Sequence, residues 1–598
     1  INVATGAYAL CANTEGNDNT TIGGYSMKEN TTGSTNVAVG RSALRCNTTA
    51  SNNTAIGNAS LCLNTTGAEN VAVGGNSFLS NTTGSNNVGI GFNSLCLNTT
   101  GAFNTAVGHQ SARKNTTGCS NTAVGYMSLF ANTTASNNTA VGCCSLRANT
   151  TGFQNTALGS ESLLNNTTGN LNTGIGDQTL CSNTTGSNNS AFGRRALREN
   201  TTGIQNTAVG LEALKASTTA NNNVAIGMCA MLATTTGSNN TAVGFSALDT
   251  NTTGCENVAV GKETMFTGTT ACRSVAVGYR ALKAVTTADS NVAVGFCALT
   301  ANTTATVNTA VGKDALSANT TGHSNTAIGH AALKANTEAS DNVAMGREAM
   351  YTNTTGANNV AVGHDALYAN TTGTCNVSIG MCSSRTGTTA GLNTIIGYAS
   401  GCTISTGNEN SFLGYRSGFN VTTGMCNIMI GPSAQIDSGE TNNAISMGYN
   451  VVSIADAITF GNSSTDSRIA FGATSITAPS DVRLKEDVKD DTAGLSFIND
   501  LRPVTYRWRK EKDIPEEMRT HVAGSEKRYN NDKVNHGFIA QEVKEAVDKH
   551  PELKDGFDMW SEESTLDGRQ RVAEGALIPV LVNAVKELKA EIEELKNK

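Results

Sequence analysis

The chain has 598 residues, of which only 15% are charged and 5% aromatic, whereas glycine supplies 62. This composition argues against two ordinary Rossmann or barrel domains, because so few aromatic and charged residues indicate a core built from small side chains. A formal charge of −7 gives no general attraction to nucleic acid or anionic membranes, and no apolar run approaches the ~20 residues of a membrane-spanning helix.

A repeat of 17 residues fills most of the chain. The motif Asn-(Thr/Val)-Ala-(Val/Ile)-Gly returns from Asn2 to Asn427 in steps of 17 without an insertion, which gives 26 copies. Ser274 is the only replacement of its asparagine, and the full unit reads NTAVGxxALxxNTTGxx, as in residues 308–324. A constant step over so many copies predicts a solenoid in which each residue stacks on its counterpart in the next coil.

The unit is too short for a helical hairpin repeat, which takes ~34 residues, but it suits a β coil. We expect two short strands and two turns per coil, with glycine at position 5 and glycine or alanine at position 15 providing turn conformations. Valine at position 4, leucine at position 9 and alanine at positions 3 and 8 are expected to form a thin apolar interior. Coils ~4.8 Å apart would make a rod about 125 Å long.

The blocks NVAVG at 36–40 and NVAIG at 223–227 resemble the head repeats of trimeric autotransporter adhesins, whose left-handed parallel β-roll is shared by three chains. The unit here is longer than theirs, since an extra NTTG turn widens each coil. The NTAVG and NTTG arrays of phage and large-virus fibre proteins are closer still. The resemblance implies a trimeric β-roll or β-solenoid fibre shaft at 1–448, followed by a β connector at 449–479.

The Asn-Thr-Thr turns allow three interpretations. We favour a structural one, in which their side chains bond to turn backbone and to neighbouring coils. An ice-binding face needs threonine on alternate residues, whereas adjacent threonines point to opposite sides, and each NTT is also a formal glycosylation acceptor. If the shaft binds a host-surface glycan or protein receptor, the variable positions 6, 7, 10, 11, 16 and 17 would make that contact.

The 16 cysteines occupy these variable positions and form no CxxC pair. Cys255 and Cys272 share a position in neighbouring coils and are candidates for a staple, whereas we expect most of the others to be free thiols of a chain folded in a reducing cytoplasm. The histidines have no partners at ligand spacing, and no P-loop, HExxH or EF-hand motif is present. We therefore expect no metal and no cofactor.

From Ser480 the composition changes, since the last 119 residues carry 47 of the 89 charges and both tryptophans. This region contains SDVRLKEDV, FINDLRPVTYRW and HGFIAQEV in that order. Together the three blocks resemble the endosialidase-type intramolecular chaperone and autoprocessing domain at the C-terminus of tailspikes and tail fibres. The resemblance covers nearly all of 480–598 and implies a small α+β domain that assembles trimers.

In that family the serine of SDxRxK begins the released fragment, so the resemblance places the scissile bond between Pro479 and Ser480. A serine hydroxyl needs a base to take its proton, and Lys485 is of a residue type that can do so when its pKa is lowered. A Ser480–Lys485 dyad would make the chain a single-turnover serine autoprotease acting on itself, with no other enzymatic activity expected.

Four further residues are candidates for supporting this site, namely Asp481, Arg483, Gln541 and Glu542. A structural alternative exists for all of them. Ser480 and Asp481 could cap a helix that begins near Val482, while Gln541 and Glu542 could lie on a solvated helix face.

Residues 577–598 form the last predicted helix. Its apolar residues follow a heptad, with a and d positions at Ile578, Leu581, Val585, Leu588, Ile592 and Leu595. β-Branched residues at a with leucine at d favour two strands, but three heptads are too few to overrule the trimer that the resemblance implies. Because near-identical coils can slip by one unit, a distinct associating end is needed to set their register.

These features predict a homotrimeric fibre or receptor-binding appendage of a virus or phage, made in the host cytoplasm and carried on the virion, with no nucleic acid partner and no membrane insertion. A bacterial surface adhesin would need a signal peptide, and INVATGAYAL has neither a basic nor an apolar segment. A membrane-bound transcription factor of the myelin regulatory type would need a DNA-binding domain and a spanning helix. An ice-binding solenoid is the remaining alternative. Any anchor is expected to lie outside this sequence.

Overall fold

The structure is a computed structural model of the chain, and it describes residues 1–473, 485–516, 518, 520–553, 557–562 and 570–598. The chain divides into two compact units, residues 1–479 and 480–598. The first is a β-solenoid of 17-residue coils, and the second is a small unit of helices and short strands that ends in a long helix. The predicted mainly β solenoid, followed by a small unit that ends in a helix, is thereby confirmed, whereas the trimer stays a prediction.

Each coil contributes one strand of three residues, at positions 2–4 of the repeat, which pairs in parallel with the strands of adjacent coils. The register is 17 residues, so that Val37 pairs with Thr54 and Val360 with Val377. The strands β1–β26 are Val3–Thr5, Thr20–Ile22, Val37–Val39, Thr54–Ile56, Val71–Val73, Val88–Ile90, Thr105–Val107, Thr122–Val124, Thr139–Val141, Thr156–Leu158, Thr173–Ile175, Ser190–Phe192, Thr207–Val209, Val224–Ile226, Thr241–Val243, Val258–Val260, Val275–Val277, Val292–Val294, Thr309–Val311, Thr326–Ile328, Val343–Met345, Val360–Val362, Val377–Ile379, Thr394–Ile396, Ser411–Leu413 and Ile428–Ile430.

The expected second strand of each coil is absent from these described coils, because left-handed backbone interrupts it. In the coil that begins at Asn206, Glu212, Leu214 and Asn222 have φ of 56°, 52° and 57°, and positions 7, 9 and 17 repeat this pattern along the shaft. The conformation costs a non-glycine residue ~1–2 kcal/mol. This side still bonds from coil to coil, since the Leu214 N–H donates to the Ala230 carbonyl over 2.9 Å.

The interior consists of rows, where row n is the set of residues at position n of successive coils. Rows 3, 8 and 9 are buried, as expected. Where a residue in one of these rows is unusually large, a neighbour in an adjoining row is glycine. Phe78 in row 9 adjoins Gly89 in row 3 of the next coil, where a Cβ would lie 2.5 Å from the Phe78 ring. Phe412 in row 3 likewise adjoins Gly418 in row 9, where a Cβ would lie 2.4 Å from its ring.

Row 4 does not belong to the interior, so the expectation for valine at position 4 is wrong. Side chains alternate along a strand, and with position 3 inside, positions 2 and 4 point outward. Ile226 and Ile328 in row 4 are accordingly 40% and 38% exposed.

Glycine at position 5 is required by its backbone. Gly210, for example, has φ of 136°, and a Cβ there would lie 2.6 Å from the Gly227 carbonyl oxygen. Position 15 is different, since it has no left-handed backbone and Ala220 and Ala271 occupy it in their coils. The expected turn conformation therefore holds at position 5 but is wrong at position 15, where a small residue is needed because the site is buried.

Buried asparagines in row 1 connect the coils. Asn87 Nδ2 donates to Asn70 Oδ1 in the preceding coil and to the Gly101 carbonyl, both over 3.0 Å. Its Oδ1 accepts the Asn104 backbone N–H over 2.8 Å. One side chain thus satisfies polar groups in three successive coils, which lets the thin interior tolerate a polar row.

Row 12 forms a second asparagine ladder, and row 13 a threonine ladder. Asn98 Nδ2 donates to Asn81 Oδ1 over 2.8 Å and to the Gly101 carbonyl over 2.9 Å. The Thr99 hydroxyl donates to the Thr116 carbonyl in the next coil over 3.0 Å. These contacts support the structural interpretation of the Asn-Thr-Thr turns.

The sheet continues beyond the last full coil and ends at an antiparallel strand. The five strands here are β27 (Gln435–Ile436), β28 (Ala444–Tyr449), β29 (Val452–Ser453), β30 (Ala457–Asn462) and β31 (Asp466–Ala470). β28 pairs in parallel with β26 and β30, while β27 pairs with β29. β31 is antiparallel to β30 and ends the parallel stack.

The described part of the second unit packs three helices and two strand pairs around a small core. Its helices are α1 (Leu495–Asp500), α2 (Ala540–Lys549) and α3 (Leu577–Asn597), with 3-10 turns at Glu511–Asp513, Pro551–Leu553 and Glu574–Ala576. Strand β32 (Val504–Tyr506) pairs with β33 (Asn535–Gly537), and β34 (Trp560–Glu562) pairs with β35 (Gln570–Val572), both antiparallel. The core contains Ala493, Phe497, Val543, Ala546, Leu553, Met559, Leu577 and Val580. None of the described helices has the length and hydropathy needed to cross a membrane.

Candidate functional site

The predicted cleavage site lies largely outside the described residues. Pro479, Ser480, Asp481 and Arg483 all belong to the 474–484 segment that the structure does not describe, so the arrangement of the Ser480–Lys485 dyad stays a prediction. Lys485 is described and exposed.

The chain that follows Lys485 is held by the last helix. Asn583 Nδ2 of α3 donates to the Asp491 and Ala493 carbonyls over 2.9 and 3.1 Å. One turn later, Glu587 accepts the Leu495 N–H at the start of α1 over 2.6 Å. Gly494 leaves room for this carboxylate, because a Cβ there would lie 2.2 Å from Glu587 Oε1. The helix predicted for self-association therefore also fixes residues 491–495, shortly after the predicted cleavage site.

Sequence analysis did not identify these anchoring residues, nor a buried histidine in the same core. His550 Nε2 lies 2.8 Å from Asp500 Oδ2, its Nδ1 lies 3.0 Å from Glu552 Oε1, and its ring contacts Phe497 edge-on. Burial alone would lower the pKa of His550, but the hydrogen bonds with the two carboxylates outweigh it and raise that pKa above its ordinary value. Because both ring nitrogens are engaged, we interpret His550 as a structural link between α1 and the end of α2.

Gln541 and Glu542, the other predicted supporting residues, lie at the start of α2. Glu542 pairs with Arg502, whose Nε lies 3.0 Å from Glu542 Oε2, and this hydrogen bond lowers the pKa of the carboxyl. Gln541 is exposed and lines an open groove of about 500 Å³ beside Tyr506 and Trp508. The described contacts thus place Glu542 in a surface ion pair, and whether either residue supports cleavage stays a prediction.

The strand pair β32–β33 carries an aromatic groove. Trp508 contacts Tyr506 and Tyr529 edge-on, with ring centroids 5.3 and 5.4 Å apart. An adjoining open groove of about 650 Å³ is lined by these rings and by arginines, including Arg509 and Arg571. The end of the sequence block LRPVTYRW therefore lines a surface groove.

Comparison with known families finds a similarity in the C-terminal unit. Residues 480–551 match the family of the chaperone of endosialidase. The matched chaperone segment begins at the first residue of the second compact unit and includes α1, β32, β33 and α2. No curated protein and no solved structure matches the chain. The resemblance inferred from the three sequence blocks is confirmed for the chaperone segment.

Beyond the chaperone segment, α3 presents the predicted heptad seam to solvent. One face of its first half is buried in the core through Leu577, Val580 and Ala584. The a and d residues lie on the exposed side, with Val585 65% and Leu595 70% exposed. All six are large apolar side chains that remain exposed in a single chain: Ile578, Leu581, Val585, Leu588, Ile592 and Leu595.

The variable rows of the shaft are the remaining candidate surface. Aromatic residues in row 6 stack from coil to coil, with centroids 5.0–5.7 Å apart, in the groups Phe92–His109–Tyr126, Tyr279–Phe296 and Tyr398–Tyr415. Each ring covers a face of its neighbour and remains partly exposed, as Phe92 and Tyr126 do at 49% each. The described residues contain no group of three His, Cys, Asp or Glu side chains that could hold a metal ion.

Proposed function

We propose that this chain is the subunit of a viral or phage fibre that is assembled as a trimer by its C-terminal unit, which then cuts itself off between Pro479 and Ser480. The observation that carries the proposal is the coincidence of two boundaries. One compact unit ends at Pro479 and the next begins at Ser480, and the match to the chaperone of endosialidase also begins at residue 480.

The solenoid explains why an assembly unit is needed. Three chains of near-identical coils that slip by one coil lose the contacts of a single terminal unit, so the coils specify alignment poorly. A heterogeneous end that associates first fixes the register and lowers the cost of bringing three chains together. Removal of that end afterwards leaves a shaft whose persistence depends on a high unfolding barrier.

Two exposed apolar surfaces support self-association. Row 4 is valine, isoleucine, leucine, methionine or phenylalanine in every coil from Ile22 to Ile430. At ~4.8 Å per coil, this stripe is about 120 Å long, and a width of ~10 Å would give ~1,200 Å², more than the ~800 Å² per partner of a typical stable interface. The heptad seam of α3 is the second surface, and both are covered when three copies pack in parallel.

Cleavage is proposed to use Ser480 as nucleophile and Lys485 as base. The Ser480 hydroxyl attacks the Pro479 carbonyl carbon while the Lys485 amine takes its proton, and the acyl group moves from the Ser480 nitrogen to its oxygen. Water then hydrolyses the ester, which leaves a Pro479 carboxylate and a Ser480 amine. Because α3 holds residues 491–495 through Asn583 and Glu587, association along its seam would order the chain next to the dyad, so that cleavage follows assembly.

The fibre is proposed to act on the virion as an appendage that meets a host-surface glycan or protein receptor. The exposed variable rows of the shaft, above all row 6, are where that contact would occur.

A denaturing gel of freshly expressed protein tests the cleavage. We expect the 61.6 kDa chain to yield a shaft band near ~50 kDa and a small fragment whose N-terminal residue is Ser480. Ser480→Ala should leave a single full-length band, and Ser475→Ala in the same segment should cleave like wild type. A single band for all three proteins would refute the dyad.

Light scattering of the uncleaved Ser480→Ala protein tests the trimer independently. We expect three times the mass of one chain, and Leu588→Glu on the seam should lower the average mass, whereas Lys589→Glu beside it should not. A monomer without any seam substitution would refute assembly even if cleavage occurs.

A further inference from the structure

At one place in the shaft, the asparagines of row 1 and row 12 are both replaced in the same coil. In regular coils the carbonyl at position 15 accepts two amide donors, one from row 1 and one from row 12. In the coil that begins at Asn240, Asn240 and Asn251 both donate to the Gly254 carbonyl, over 2.9 and 3.1 Å. The next coil has Gly268 in row 12, so only Asn257 reaches the Ala271 carbonyl, over 2.7 Å.

The coil after that has neither donor. Ser274 replaces asparagine in row 1 and Val285 replaces it in row 12, so no amide side chain from these rows can reach the Ala288 carbonyl. In the following coil both donors return, since Asn291 and Asn302 reach the Ala305 carbonyl over 2.9 and 3.0 Å. The coils at 257 and 274 therefore have the weakest internal connections in this part of the shaft.

Cys255 and Cys272 lie at the edge of this weak region. They are the only cysteines that share a row in adjacent coils, and their Sγ atoms are 3.0 Å apart. Residues in register on stacked coils are ~4.8 Å apart, which falls within the ~4.4–6.8 Å range of Cα separations that a disulfide spans. Both side chains are partly exposed, so a small-molecule oxidant can reach them.

Other surface contacts reinforce the same coils. The Cys272 N–H donates to Asp289 Oδ1 over 2.7 Å, and Arg280 Nε lies 2.8 Å from Glu263 Oε2. Surface contacts between neighbouring coils thus occur where the asparagine ladders of the interior are interrupted. A covalent bond between Cys255 and Cys272 would add to this set at the junction of the intact coil at 240 and the weakened coil at 257.

We propose that Cys255 and Cys272 are a redox modification site, at which disulfide formation clamps the shaft beside its interrupted asparagine ladders. The oxidant is a small-molecule disulfide such as oxidised glutathione. One cysteine thiolate attacks it, releasing one glutathione thiol and forming a mixed disulfide between that cysteine and glutathione. The second cysteine thiolate then attacks the protein sulfur of the mixed disulfide and releases the second glutathione thiol. The S–S bond of the oxidant breaks, one S–S bond forms in the protein, and the two cysteine protons end on two reduced glutathione molecules.

The exchange requires thiolate, and the hydrogen bond that the Cys255 thiol donates to Cys272 Sγ, together with burial, raises the pKa of Cys255 to about 11. The experiment therefore uses the whole chain with oxidised glutathione at mildly alkaline pH, followed by alkylation of the remaining thiols and peptide mass spectrometry. We expect a Cys255–Cys272 linked peptide that is lighter by two hydrogens, and amide exchange in residues 257–288 at least tenfold slower than in the reduced protein.

Cys255→Ser and Cys272→Ser should abolish both effects, and they introduce a residue that row 16 already uses in other coils, such as Ser34 and Ser85. Cys143→Ser, which alters the adjacent pair Cys143–Cys144, should leave both effects unchanged. The proposal is overturned if glutathione remains attached to Cys255 or Cys272 without a cross-link, if the linked peptide joins two chains, or if the cross-link forms without slowing exchange.

Discussion

Replacing one row 1 asparagine should open the shaft locally by a predictable amount. In Asn87→Ala the buried Asn104 N–H loses its acceptor in the ladder, Asn87 Oδ1. A buried N–H without an acceptor costs about 1–3 kcal/mol. The Gly101 carbonyl and Asn70 Oδ1 each lose one donor, and Asn104 Nδ2 loses one acceptor, but each keeps another partner, at about 0.5 kcal/mol apiece. The sum is about 3 kcal/mol, or about two decades in the local opening constant.

Native-state hydrogen exchange measures this opening. We expect amides near residues 87–104 to exchange about 100-fold faster in Asn87→Ala, whereas Asn58→Ala, at an exposed position 6, should change exchange by less than about threefold. Asn87→Ser should fall between them, because a serine hydroxyl can accept the next N–H, as Ser274 Oγ does from Asn291 over 3.2 Å. Equal exchange in Asn87→Ala and Asn58→Ala would refute the argument that this row connects the coils.

Two further predictions concern glycine and pH. Gly210→Ala should destabilise its coil by more than about 2 kcal/mol, because φ of 136° and a Cβ 2.6 Å from the Gly227 carbonyl are both unfavourable. Limited proteolysis should cut there, whereas Gly24→Ala should resist because a Cβ at Gly24 would lie 3.9 Å from the nearest atom, and equal resistance would contradict this. The raised pKa of His550 means that its contribution to stability is complete below its unfolded pKa of about 6.5 and is lost as pH rises through the higher folded pKa. Tryptophan fluorescence should therefore show the C-terminal unit melting lower at pH 8.5 than at pH 6, and an unchanged pH dependence in His550→Gln would exclude His550 as the cause.

The repeat made most of the shaft predictable. An unvarying step of 17 residues requires in-register stacking, and the buried rows 3, 8 and 9 follow from their alanine, serine and leucine residues. Row 4 was misjudged because an aliphatic residue on a three-residue strand is indistinguishable by type from one that faces the core. The left-handed backbone at Leu214 and its counterparts was missed because leucine gives no local signal for positive φ; packing of the whole stack imposes it.

Less of the structure of the C-terminal unit could be predicted from the sequence. Its three blocks predict the similarity to the chaperone of endosialidase over residues 480–551, and the six heptad residues are exposed in the single chain. The contacts of α3 with residues 491–495 and the link between Asp500 and His550 join residues about 50 to 90 positions apart. Such pairings are set by tertiary packing, and neither periodicity nor motif spacing within one sequence reports them.

The row 1 amides also give the shaft a dipole along its axis. Asn223 Nδ2 donates to Asn206 Oδ1 and Asn240 Nδ2 to Asn223 Oδ1, both over 3.2 Å, so successive amide dipoles point the same way along the axis. Hydrogen bonds in such a chain polarise one another, and each bond strengthens the next. Ser274 divides the column into sixteen asparagines before it and nine after it. The shaft is thus two dipolar columns in series, with head and tail distinguished without any charged side chain.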